Sequence, residues 1–209
     1  MTGRIVETLE DVEEGAEYLA RICPRMAEAR RLSGPLPLRR KPEGFAQLLK
    51  AIVGQQVSTA SAAAIWARIE AAGLTEPAQV LKASEDDLRA VGLSRQKIRY
   101  AYALAEKNIN YKKLRGETDA DVVTTLVEVP GIGTWTAEIY AMFSLGRADV
   151  FAHGDLALQE AAKTLYGLSD RPKERQMREM ALAWSPWRSV AARILWAYYR
   201  VDKQREGIR

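Results

Sequence analysis

Cysteine is nearly missing from this chain. Among 209 residues only Cys23 carries a thiol, and His153 is the only histidine. One cysteine cannot close an internal disulfide, build a cysteine zinc site or hold an iron–sulfur cluster. Long apolar runs are missing too. No stretch approaches the roughly 18 residues that span a bilayer. The N-terminus, "MTGRIVETLEDVEEGAEYLA", is acidic and has no apolar signal core. These absences lead to the expectation of a cytoplasmic protein that does not engage membranes. Strand-like alternation is also scarce, since Val122, Val123 and Val127 are too few to define a strand. There is no low-complexity tract.

What is present reads as helix. Hydrophobic residues make up 47% of the chain, enough for one large core or two small ones. Apolar positions recur at three- and four-residue spacing, so the expected fold class is all-α. One helix is predicted from Phe45 and a second, after a polar interruption at Gly54–Ser58, up to Gly73. Ser84 with Asp87 forms a capping-box pattern closed by Gly92, and Ser94 opens the next helix. Asp119 or Asp121 is expected to open another, and the helix "LALQEAAKTLYG" is expected to start after Asp155. Pro172 and Pro186 are read as first-turn prolines of the last two helices. The expected organisation is an N-terminal helical segment with its linker, 1–44, packing on a core, 45–209. The stretch "LRAVGLSRQKIRYAYALA" weakly echoes "LVEVPGIGTWTAEIYAMF", each a helix, a glycine turn and a helix.

Net charge is +4, and it is unevenly spread. Residues 1–20 hold six acids and one base, leaving 30 bases against 21 acids on the remaining 189. A basic body suits a polyanion.

The stretch Val129-Pro130-Gly131-Ile132-Gly133-Thr134-Trp135-Thr136-Ala137 breaks a helix and restarts it at once. Glycine permits positive φ and close approach to the backbone. A restarting helix presents N–H groups without helical acceptors, and a phosphate is their natural guest. A tight helix–helix turn would need the same glycines. This nine-residue pattern resembles the helix-hairpin-helix motif of DNA repair proteins. With "AIVGQQVS" before it and "DVFAHGD" and "WSPWRSVAARILW" after it, about three quarters of the chain resembles the helix-hairpin-helix DNA glycosylases. The similarity is to the branch of 3-methyladenine DNA glycosylase II, without its N-terminal β-rich domain.

That resemblance implies a monofunctional glycosylase. It would flip alkylated bases out of duplex DNA and excise them by hydrolysis, starting base excision repair, in two helical subdomains with DNA bound in the cleft between them. Glycosylases for hypoxanthine or etheno adducts, a non-catalytic lesion-binding protein and a protein–protein scaffold are the alternatives. The family's catalytic aspartate falls on Asp155. Cleaving the glycosidic bond builds positive charge on the sugar, which a carboxylate stabilises while orienting water. A helix N-cap is the structural alternative for Asp155. Asp149 reads as a loop hydrogen-bonder and His153 as a loop histidine that could reach DNA. Trp135 and Trp196 fall at pocket positions, where aromatic faces suit a cationic base. Tyr140 and Trp187 are further pocket candidates, with core packing as their alternative. Ile139 and Leu156 stand where the family has other pocket tyrosines. The wedge that replaces the extruded base falls on Gln56, with Gln55 holding its turn. Gly131, Gly133, Thr134 and Thr136 are the expected backbone-side DNA contacts. Carbonyls of Val127, Val129 and Ile132 are candidates to hold Na+ or K+, and no other cofactor is expected. Relatives that nick DNA carry a lysine where this chain has Trp135, so no Schiff base is expected. Arg95, Lys97 and Arg99 are candidate phosphate contacts or a solvated face, and Arg188 and Arg193 candidate supports of the active-site helix. The expected partner is double-stranded DNA, bound by a monomer.

Overall fold

Side-chain caps set where most helices of this protein begin. The computed structural model describes residues 3–206, with the backbone alone at 205–206. Thirteen α-helices lie within it: α1 (Leu9–Ile22), α2 (Pro24–Ser33), α3 (Phe45–Val53), α4 (Thr59–Ala71), α5 (Pro77–Lys82), α6 (Glu85–Ala90), α7 (Arg95–Glu106), α8 (Tyr111–Leu114), α9 (Asp119–Val127), α10 (Thr134–Phe143), α11 (Leu156–Tyr166), α12 (Glu174–Ala181) and α13 (Arg188–Glu206). Thr8, Ser58, Ser84, Ser94 and Asp155 each accept a backbone N–H from the first turn they cap. Such a cap contributes about 1 kcal/mol. Gly167 ends α11 in the left-handed region, at φ 65°. No strand forms among the described residues. An isolated antiparallel bridge joins Ile5 to Arg147. The chain is all-α, as its periodicity predicts. No described helix is long and apolar enough to cross a membrane.

Two predicted helix starts, at Pro172 and Pro186, and one predicted cap, at α9, are corrected. Helix α9 is opened by Thr118, whose hydroxyl accepts from the Asp121 N–H at 3.2 Å. Asp119 and Asp121 sit inside the first turn, where negative charge suits the helix dipole. Pro172 lies outside α12, because the Gln176 side chain accepts from the Lys173 N–H at 2.9 Å and places the start at Glu174. Pro186 belongs to a turn with a cis Ser185–Pro186 peptide. There the Trp187 N–H donates to the Trp184 carbonyl at 2.8 Å, and α13 begins only at Arg188.

The chain divides into two compact units, Lys41–Tyr140 and a second made of Thr2–Arg40 with Ala141–Arg209. In the first, the apolar face of α3 (Phe45, Leu48, Leu49, Ile52, Val53) is buried, and α3 packs on α4 and α7. Helix α7 also packs on α5 and α6. The weak sequence echo has a structural counterpart here. Gly92 between α6 and α7 has φ 101°, and Gly131 between α9 and α10 has φ 90°. In the second unit α13 is the central helix, packed on α1, α2 and α11. Gly15 lets α1 approach it closely, since a Cβ there would lie 2.8 Å from the Val190 side chain of α13 and 2.6 Å from the Trp187 ring just before it. The N-terminal segment is stitched to the Gly146 turn by Val6 N–H to Gly146 O at 2.7 Å and Ala148 N–H to Arg4 O at 3.0 Å.

Tyr140 lies at the end of the first unit, 3% exposed, and its hydroxyl accepts the Gly44 N–H at 2.8 Å. Burial, aided by the Glu43 charge, pushes the phenol up to about 12 against the pull of the Gly44 hydrogen bond. Between pH 10 and 12 the unfolded chain therefore ionises this phenol while the folded chain keeps its proton. Its contribution is full below pH 10 and is lost as pH rises towards 12, on the order of 2 kcal/mol. Urea midpoints of wild type and Tyr140→Phe at pH 9 and 11.5 check this. The wild type should lose more stability over that interval than the variant.

Candidate nucleic-acid interface and catalytic carboxylate

The helix break at 129–133 is held by short-range bonds. The Ile132 N–H donates to Val129 O at 3.0 Å, and the Ala137 N–H, one turn into α10, donates to Gly133 O at 3.0 Å. The two glycines have different surroundings. A Cβ on Gly131 would strike the Tyr100 ring at 2.4 Å, so Gly131 serves close packing inside the unit. A Cβ on Gly133 would meet nothing within 4 Å, so the backbone there is open to another molecule. N–H groups of the first turn of α10 have no acceptor within the helix.

The "GQQVS" turn sits against this hairpin. The Gln55 side-chain amide donates to Gly131 O at 2.8 Å. Gln56, next along, is exposed and has φ 56°, a left-handed conformation unusual for a residue with a Cβ. Together the turn, the hairpin and the N-terminal part of α7 line an open groove of about 590 Å³. Lys97 lines it as well, with its ammonium donating to Val53 O at 2.6 Å and held below its usual pKa by burial. Arg95 and Arg99 are exposed. Of the hairpin threonines, Thr134 is exposed and Thr136 is 7% exposed. Trp135 is 48% exposed on the first turn of α10. Val127 is partly exposed, while the side chains of Val129 and Ile132 are buried.

The second unit holds the carboxylate. Asp155 is half-buried and caps α11, its Oδ1 accepting from the Leu158 N–H at 3.0 Å. The same Oδ1 accepts from the Trp196 indole N–H at 3.1 Å. Capping and the meeting with a tryptophan thus coexist at one oxygen. Trp196 is half-buried and packs on Phe143 at 5.7 Å between ring centroids. Leu156, beside Asp155, is 61% exposed.

Other singled-out residues have structural surroundings. Trp187 is 3% exposed and lies under the Arg4 guanidinium, 4.4 Å from its ring centroid. Tyr140 is equally buried. Both side chains are buried with the core. His153 is buried and packs edge-on to Phe151 at 5.2 Å, so it does not present a loop side chain to solvent. Asp149 accepts from Ser185 Oγ at 2.8 Å and pairs with Arg188 at 3.5 Å. Arg193 is buried, donating to Ser189 O at 2.9 Å, and burial with the nearby Arg39 and Arg40 charges pushes it down to about 10. It remains a cation at neutral pH. Sequence reasoning missed Tyr100, Phe143 and Arg39, which are set by packing and carry no local signal.

Residues 49–188 match the family described as HhH-GPD superfamily base excision DNA repair protein. A crystal structure of DNA-3-methyladenine glycosidase from Bacillus halodurans is similar over 98% of this chain and 95% of its own, at 31% identity and a TM-score of 0.82. Alkylbase DNA glycosidase-like protein mag2 of Schizosaccharomyces pombe is 24% identical over 206 residues, 93% of this chain and 97% of mag2. Mag1 of the same yeast, a 3-methyladenine DNA glycosylase solved in complex with abasic DNA, shares the fold at 24% identity and a TM-score of 0.76, over 88% of this chain and 95% of that one. The hairpin, the glutamine turn and the capped aspartate are therefore those of a family member: this chain belongs to the HhH-GPD superfamily of base excision DNA repair proteins.

Proposed function

We propose that the protein is a monofunctional DNA glycosylase that extrudes alkylated bases of the 3-methyladenine type from duplex DNA and releases them by hydrolysis. The observation that carries this reading is the Asp155 carboxylate, fixed through Oδ1 by the Leu158 N–H and the Trp196 indole N–H. A carboxylate so oriented stabilises the positive charge that develops on the sugar as the base departs. It also serves to orient or deprotonate the attacking water. Trp196, whose indole holds Asp155, supplies an aromatic face that favours a base made cationic by alkylation. The relatives of similar length bear 3-methyladenine or alkylbase names, which supports that substrate class.

The hairpin binds one phosphate through the open backbone at Gly133 and the first turn of α10, with Thr134 at its rim. Gln55 braces the turn through Gly131 O, and Gln56 fills the space left by the extruded base. Helix α9 ends at Val127, so the carbonyls of its last turn lack helical donors, and Val129 O keeps a second lone pair beside its bond to Ile132. Such neutral oxygens fit a hard monovalent cation. Val127, Val129 and Ile132 would hold Na+ or K+, which adds positive charge next to the phosphate. The protein works as a monomer, in the compartment that holds the DNA.

Where strand-nicking relatives carry their nucleophilic lysine, this chain has Trp135, which offers no amine for a Schiff base. The test is base release from methylated duplex DNA, with abasic sites and strand breaks scored separately. Free 3-methyladenine with unnicked abasic sites is the expected result. Nicking by the purified protein would overturn the monofunctional assignment. Release of hypoxanthine or etheno bases in place of methylated ones would overturn the substrate class.

A further inference from the structure

An exposed cation lies beside the proposed catalytic carboxylate, on a segment that no hairpin or aspartate motif includes. Arg39 has φ 57°, a left-handed backbone that a residue with a Cβ adopts at a cost. The chain is pinned on either side of it. The Leu38 carbonyl accepts from Nε and Nη2 of buried Arg193 at 3.3 and 2.9 Å. The Arg40 guanidinium donates to the Ser144 carbonyl at 2.7 Å. Between these anchors the Arg39 guanidinium stands 5.5 Å over the Trp196 ring, the ring whose N–H holds Asp155.

Apart from Asp155, one ring away, the charges acting on Arg39 are of its own sign. Arg193 and Arg200 are close enough to repel it, and no carboxylate among the described residues pairs with it. An exposed guanidinium with like-charged neighbours and no paired carboxylate favours an anion as guest. A guanidinium matches phosphate geometry and is repelled by a cationic base. Once Asp155 faces the reacting sugar, the anions within reach of a group one ring away are the phosphates on either side of that sugar.

We propose that Arg39 binds a DNA phosphate flanking the extruded nucleotide and so holds the reacting sugar against Asp155. This rests on the glycosylase reading. It makes Arg39 a lesion-state contact, separate from the phosphate site at the hairpin. Its engagement requires the nucleotide to have left the stack, so it strengthens binding to a lesion more than to ordinary duplex.

The test uses duplexes carrying a tetrahydrofuran abasic analogue, with each flanking phosphate replaced in turn by a neutral methylphosphonate. Arg39→Gln and Arg39→Lys keep a Cβ and should leave the thermal midpoint unchanged. Arg39→Gln is expected to weaken binding of the analogue about tenfold, with little change on undamaged duplex, the size of one charge-assisted hydrogen bond. One of the two methylphosphonates should weaken the wild type similarly and should not weaken Arg39→Gln further. Arg39→Lys should recover part of the loss. The salt slope on the analogue should fall by about 0.9 in Arg39→Gln. Additive penalties at both phosphates, with base release intact, would overturn the Arg39 assignment alone. A wild type that neither prefers the analogue nor releases any base would overturn the glycosylase reading and this assignment with it.

Discussion

Asp155→Asn is expected to lose base release by roughly a thousandfold, the scale of removing a key electrostatic group from a transition state. Its fold should persist. Asparagine caps helices about as well as aspartate, and it keeps an oxygen for the Leu158 N–H and the Trp196 indole N–H. What it removes is the negative charge. Asp155→Ala, by contrast, deletes the cap as well and should cost about 1 kcal/mol of stability. Single-turnover release from methylated duplex, with thermal midpoints and binding to an abasic analogue, separates these effects. An Asp155→Asn protein retaining more than about a tenth of the wild-type rate would show that the charge is not used in this way. Equal loss of stability in both variants would show that the cap is misassigned.

Gly131→Ala should be the most disruptive single methyl in the hairpin. At φ 90° any Cβ is strained, and this one would lie 2.4 Å from the Tyr100 ring. The combined cost is about 2–4 kcal/mol. Movement of the turn would also shift the Gly131 carbonyl that braces Gln55. Denaturation and salt-dependent DNA binding should therefore fail together. Gly133→Ala is the contrasting case. Nothing lies within 4 Å of its added Cβ, so the fold should be kept while backbone approach to a phosphate is obstructed. Reduced DNA affinity at unchanged stability is expected for Gly133→Ala. Full affinity in that variant would remove the hairpin from the interface.

Much of the helical layout was legible because its causes are local. Ser84 with Asp87, Ser94 and Asp155 act within a few residues of where they stand. The two starts misplaced at prolines have one origin. A proline fits the first turn of a helix, but it fits a turn before the helix too. At Pro172 the Gln176 side chain decides, and at Pro186 the bond between Trp187 and Trp184. For Tyr140 and Trp187, residue type does not separate core from pocket, and the fold buries both side chains.

The order of residues alone carries the helices, their caps, the two glycine turns and the likeness to repair glycosylases, since each depends on neighbours a turn or two away. Contacts between distant segments had to await the folded chain. Trp196 reaches Asp155 across 41 residues, and Arg193 reaches Leu38 across 155. Arg39 meets Trp196 because α13 and the N-terminal segment fold into one unit. Packing of apolar faces brings these segments together, and a pattern with a period of three or four residues shows which face is buried without naming its partner.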